Sequence, residues 1–189
     1  MWSLCLLSWL LLQIKVTCTQ NFTENATTVA LSRGPCEVYT TGEDDLHTFD
    51  FISKFKLDLL DAHYTSITRV KGSNRMQTAY RLERDTDVTL PTASILPSGL
   101  PDVFTAVCTF RVKKNQKQPW HILRIVDKHE TSQFVITVNP KNLTMEISLI
   151  TANGDLQTAS FLAPQVFDKN WHKIHFGVLR NSVTLYVDC

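Results

Sequence analysis

Over most of its length the chain alternates apolar and polar residues with a period of two. Met76, Thr78, Tyr80 and Leu82 alternate with Gln77, Ala79 and Arg81, and Phe104, Ala106, Cys108, Phe110 and Val112 alternate with Thr105, Val107, Thr109 and Arg111. Such alternation predicts strands with one face on a core and the other in water. Phe134, Ile136 and Val138 continue it, Asn139 to Asn142 read as a turn, and Leu143, Met145, Ile147 and Leu149 form the next strand. The Asn-Gly pair within Ala152 to Asp155 signals a hairpin turn into a strand from Leu156 to Phe161. A loop containing Pro164 leads to Trp171 to Val178, which pairs through a turn at Arg180-Asn181 with Val183 to Asp188. Helical spacing is expected only where Phe49, Ile52 and Phe55 stand three apart. Many short strands separated by turns predict an antiparallel β-sandwich, which the pattern leaves open between a jelly roll and an immunoglobulin-like arrangement.

The first 18 residues depart from this pattern. Leu4 to Ile14 are almost continuously apolar, and Val16-Thr17-Cys18 ends the run with small side chains where a signal peptidase needs them. Residues 1–18 are expected to be a secretory signal peptide, and no later apolar run is long enough to span a bilayer. Residues 19–35, rich in Thr and Asn, read as a flexible tail. Asn-x-Ser/Thr acceptors at Asn21, Asn25 and Asn142 suit a secreted glycoprotein. Losing Lys15 with the leader leaves 18 cationic side chains against 18 anionic ones, so nucleic acid is not an expected partner. About 170 residues make one domain and can bury a core without help from disulfides. Six glycines exclude a collagen triple helix within these residues.

Of the five cysteines, Cys5 and Cys18 lie in or at the edge of the leader, which leaves Cys36, Cys108 and Cys189. Alternation along Val183 to Cys189 puts Cys189 on the apolar face of its strand. Three cysteines cannot all pair, and an odd thiol in a secreted protein points to an intermolecular bond or to a partner outside this sequence.

Four segments in order carry a resemblance. Phe49-Asp-Phe-Ile-Ser-Lys-Phe55, Leu96-Pro-Ser-Gly-Leu-Pro-Asp102, Gly154-Asp-Leu-Gln-Thr-Ala-Ser-Phe161 and Phe167-Asp-Lys-Asn-Trp-His-Lys173, the last followed by Val187-Asp-Cys189, resemble the thrombospondin N-terminal-like, laminin G-like domain of fibril-associated collagens. The resemblance covers residues 36–189. It is strongest to the amino-terminal non-collagenous domain of collagen IX and weaker to collagens XVI and XIX. It implies a concanavalin-like jelly roll of two curved antiparallel sheets, C-terminally incomplete at residue 189. It also implies disulfides from Cys36 and Cys189 to cysteines nearer the domain's C-terminal end, with Cys108 left as a buried free thiol. A Cys36–Cys189 bond is the alternative, stabilising by about 5 kcal/mol through loop closure.

The same resemblance implies a non-catalytic extracellular matrix module that binds heparan sulfate-like glycosaminoglycans and collagen fibrils or other matrix proteins. Trimerisation would come only through a downstream triple helix. Basic residues suit the polyanion: Arg111, Lys113, Lys114, Lys117 and Arg124 cluster, with Lys128 and Lys141 beyond, and Arg69, Lys71, Arg75, Arg81 and Arg84 form a second concentration. A solvated loop guarding a strand edge would look the same.

Other chemistries have less to stand on. His172 and His175 are three apart on a strand, face opposite sides and cannot chelate one ion. Collagen IX relatives hold zinc, but the matching ligand positions fall past Cys189, so no metal ligand and no cofactor is assigned. Glu83, Asp85 and Asp87 alternate as the carboxylate pairs of sandwich glycosidases do, or could hold surface calcium, yet Arg84 interrupts them in what reads as a charged hairpin. A stand-alone secreted heparin-binding or lectin-like protein is the second reading, and a glycan hydrolase the remote third.

Overall fold

The computed structural model describes Leu10–Leu11, Gln13–Thr17 and residues 48–188, apart from residues 63, 65, 84, 85, 87, 114–116 and 152. In chain order the strands are β1 (Leu10–Leu11), β2 (Gln13–Thr17), β3 (Thr48–Asp50), β4 (Ile67–Lys71), β5 (Thr78–Leu82), β6 (Phe104–Phe110), β7 (Trp120–Val126), β8 (Ser132–Asn139), β9 (Thr144–Ile150), β10 (Leu156–Leu162), β11 (His172–Val178) and β12 (Val183–Val187). Two one-turn helices, α1 (Phe51–Lys54) and α2 (Thr92–Ile95), and two 3-10 segments complete the elements. The sheets run β10-β9-β8-β7, β12-β11-β6-β2-β3 and β1-β5-β4, and every pairing is antiparallel. The chain is an all-β, jelly-roll-like sandwich.

Aromatic pairs tie the two larger sheets face to face. Phe104 on β6 meets Phe134 on β8 edge-on at 5.6 Å, and Phe176 on β11 meets Phe161 on β10 at 5.9 Å. Phe110 at the end of β6 meets Trp120 at the start of β7 at 6.3 Å. The alternation read from the sequence sets this core: Phe104, Ala106, Cys108 and Phe110 are buried while Thr105, Val107 and Thr109 are half-buried on the other face. Opposite them, Phe134, Ile136 and Val138 register with Leu149, Ile147 and Met145. Burying each such side chain stabilises the fold by about 1.5–3 kcal/mol before entropy is counted.

Local chemistry fixes the turns. Asn139 Oδ1 accepts hydrogen bonds from the Lys141 and Asn142 amides, folding the chain back between β8 and β9. Between β9 and β10 the Thr151 amide donates to the Asp155 carbonyl, and Gly154 sits at φ 86°. The Asn-Gly pair therefore closes a three-residue loop with Gly in the left-handed position, one residue longer than a two-residue turn.

Near the N-terminal edge the structure differs from the spacing. Asp50 ends β3 and caps α1 through the Ile52 amide at 3.0 Å, so Phe49 belongs to a strand. The rings that reach the core are Phe51 and Phe55, four apart, with Phe49 and Ile52 only packed against its edge.

Within the segment expected to be a leader, β2 lies between β6 and β3, with Ile14 opposite Cys108 and Val16 opposite Ala106 and Phe49. This arrangement belongs to the uncleaved chain.

Candidate functional site

The basic residues after β6 sit on a connection whose ends are fixed by burial. Phe110, Val112 and Trp120 are all buried, so the connection is anchored on both sides. Lys113 and Lys117 are exposed there, and Lys114 lies outside the described residues. Arg111 behaves differently. Its guanidinium lies 5.0 Å from the centroid of the Trp171 ring, and its Nε is buried with no hydrogen-bond partner among the described residues. The stacking fastens β6 to the entrance of β11 and costs Arg111 much of its freedom to meet a ligand. Arg124 is spent on the opposite hairpin: Nε donates to Ser132 Oγ at 3.0 Å and Nη2 to the Glu130 carbonyl at 3.2 Å. Four residues along β7 separate it from Trp120, about 13 Å. The sequence cluster thus divides into an exposed lysine loop, a stacked arginine and a distant structural arginine.

The second basic concentration lies on the β4–β5 hairpin. Lys71 and Arg75 are exposed, while Arg69 Nη2 donates to the Asp58 carbonyl and Arg81 pairs with Glu83 at 2.9 Å. Glu83 is therefore one half of an ion pair. Asp85, Asp87 and Arg84 lie outside the described residues, as do Asn21, Asn25, Cys36 and Cys189. Asn142 is exposed in the β8–β9 turn, where a glycan has room. Cys108 is buried and free on the inner face of β6, and burial holds its thiol pKa far above the ordinary value.

His172 and His175 are both buried and do not meet. In the protonated ring, Nδ1–H of His172 donates to Asp188 Oδ2 at 2.7 Å and Nε2–H to Asp168 Oδ1 at 2.7 Å. Asp188 Oδ1 also accepts from the Lys173 amide at 2.9 Å. Burial disfavours the imidazolium, but the two carboxylates outweigh it and hold the His172 pKa above its ordinary value. The His172 hydrogen bond, with two more from Asn170, draws the Asp168 carboxyl down to about 2. This clamp joins the turn before β11 to the end of β12. The hairpin register, with Ile174 opposite Val187, was the signal for it, since it brings Asp188 beside Lys173 and His172. His175 Nε2 is buried without a partner among the described residues, and burial, then Lys173, lowers its pKa. Among those residues no group of three His, Cys, Asp or Glu could hold a metal, and no helix is long and apolar enough to cross a membrane.

A cavity of about 770 Å³ is lined by residues of β9 and β10 and by the β11–β12 turn. Phe134, Ile147, Leu149 and Val183 line its floor, and Arg180 and Asp102, 4.0 Å apart, stand at its mouth. It holds no arrangement of nucleophile, base and oxyanion donors.

No family model matches the chain. It is 33% identical over 103 residues to human collagen alpha-1(XVI), a match covering 54% of this chain and 6% of that one. It is 32% identical over 123 residues to the Xenopus laevis collagen alpha-1(XXI) chain, covering 64% and 13%, and 29% identical over 103 residues to human collagen alpha-1(XIX), covering 52% and 9%. These relatives are collagen chains. Two of the types, XVI and XIX, are among those the sequence motifs resemble. The chain matches only 6 to 13% of the length of these relatives, so it corresponds to one segment of much longer proteins.

Proposed function

We infer that this chain is a matrix module: the amino-terminal globular domain of a fibril-associated collagen-like protein, with collagen IX the type its motifs resemble most. The observation that carries the reading is similarity to three types of collagen chain over a segment that folds as an all-antiparallel sandwich. In this reading residues 1–18 direct secretion and are removed, Asn21, Asn25 and Asn142 carry glycans, and Cys36 and Cys189 bond to cysteines downstream. The module has no catalytic role. It lies in the extracellular matrix, contacts fibrils and matrix proteins, and trimerises only through a downstream Gly-x-y helix.

Its ligand in this reading is a sulfated glycosaminoglycan, met by the loop bearing Lys113, Lys114 and Lys117. Lys113 and Lys117 are exposed on a connection anchored at both ends, and clustered ammonium groups attract a polyanion over about 10 Å at moderate salt, less as salt rises. Arg111 and Arg124 support the loop and the neighbouring hairpin and are not primary contacts. The test is elution from a heparin column against salt. Lys113→Ala/Lys114→Ala/Lys117→Ala is expected to elute well before the parent, and Arg124→Ala close to it. Unchanged elution of the triple variant would remove this loop as the site.

A further inference from the structure

Sheet edges invite pairing, and proteins blunt them with charge, brevity or bulges. Most edges here are blunted. β1 and β3 are two and three residues long, β4 carries Arg69 and Lys71, and β7 carries Arg124 and two register irregularities. β12 is five residues long and is turned away at Asp188, φ 58°. β10 has none of these devices. Its seven residues, Leu156-Gln-Thr-Ala-Ser-Phe-Leu162, are uncharged, lack proline and keep unbroken register with β9.

We propose that β10 is a self-association surface, on which two copies of this chain pair antiparallel about a two-fold axis at Ala159. The backbone permits that register. The Ala163 amide donates to the Leu143 carbonyl and the Thr151 amide to the Asp155 carbonyl, so odd-numbered residues of β10 bond to β9. The even-numbered residues Leu156, Thr158, Ser160 and Leu162 therefore turn their amides and carbonyls outward. A dyad at Ala159 sets Thr158 against Ser160 of the second copy and Leu156 against its Leu162, each an outward-bonding pair.

The side chains agree with the backbone. Leu156 and Leu162 lie on the outer face and are 45% and 75% exposed, and Ile150, opposite Leu156, is 41% exposed. The dyad brings Leu156 of one copy, flanked by Ile150 on β9, against Leu162 of the other at both ends, with hydroxyls between. Each apolar residue thus finds an apolar partner and no like charges meet, as an isologous contact requires. A strand about 23 Å long in a sheet about 10 Å thick gives a contact of a few hundred Å² per copy. That is below the roughly 800 Å² per partner of a standard stable interface, so the dimer is weak and reversible.

Sedimentation equilibrium of the secreted protein from roughly 1 to 100 μM tests this, with Asn142→Gln run alongside because Asn142 lies next to Leu143 at one end of the contact. A monomer–dimer equilibrium is expected, lost in Thr158→Lys, whose exposed position leaves the circular dichroism unchanged. Mixing Thr158→Cys with Ser160→Cys is expected to give a 158–160 cross-link by peptide mass spectrometry, and Thr158→Cys alone none. Monomer throughout in both proteins, a dimer that survives Thr158→Lys, or cross-links in another register would each overturn the proposal.

Discussion

If residues 1–18 are removed as a leader, as proposed above, the loss has a local consequence that can be measured. In the uncleaved chain β2 registers with five residues of β6 and three of β3. An antiparallel pairing carries about one hydrogen bond per residue, so with the two residues of β1 that pair with β5 about ten bonds are lost when residues 1–18 go. At about 1 kcal/mol each they offset the ordering of about seven residues at about 1–2 kcal/mol each. The backbone balance is therefore close to zero, and the melting temperature is expected to move little.

Hydrogen exchange should move far more. Amides inside a sheet exchange through openings that cost up to the full stability, and about 5 kcal/mol corresponds to a slowing of more than a thousandfold. Alternate amides between Thr105 and Thr109 point toward β2 and lose that protection on cleavage, whereas those bonded to β11 keep it. Comparing a cleavage-blocked chain with the processed chain, as monomers, by exchange and mass spectrometry reads the difference directly. Equal protection of residues 105–109 in the two would refute the role of Gln13–Thr17 as a partner of β6.

Three further outcomes follow from the geometry. The His172 clamp contributes fully below about pH 6.5, the ordinary histidine value, and is lost as pH rises through the raised folded value. The Asp168 contribution is present above its ordinary 3.8 and lost as pH falls through about 2. The melting-temperature difference between parent and His172→Gln should therefore be largest between pH 4 and 6.5 and shrink by pH 9; a difference growing with pH would contradict it. Phe134→Ala removes a ring 1% exposed and its contact with Phe104, and should cost about 3–5 kcal/mol in urea denaturation. Cys108, buried with its thiolate disfavoured, should resist iodoacetamide in the native protein and react on unfolding, as read by intact mass.

Strands were legible in the sequence because each face of a sandwich strand has one environment. β6 and β12 follow their alternation, whereas β8 is buried on both faces from Phe134 to Asn139, and Ser148 on β9 and His175 on β11 are buried beside core residues. The first helix was read from Phe49, two residues too early, because capping by Asp50, rather than hydrophobic spacing, sets where it begins. Basic residues close in sequence proved to have unlike roles. A cluster of cations does not reveal that one will stack on Trp171 and another will brace the β7–β8 hairpin, since both partners are distant in sequence or set by the turn. The His172 clamp was hidden for a similar reason. Asp188, 16 residues after His172, is brought alongside only by the β11–β12 register, and Asp168, four residues before it, by the turn ahead of β11.

The most direct measurement is an amide chemical-shift titration of the protein with a heparin oligosaccharide at moderate salt. A matrix module using the lysine loop should show its largest shifts between residues 111 and 120, fading as salt rises. Shifts confined to the β4–β5 hairpin around Lys71 and Arg75, or no shifts at all, would contradict it.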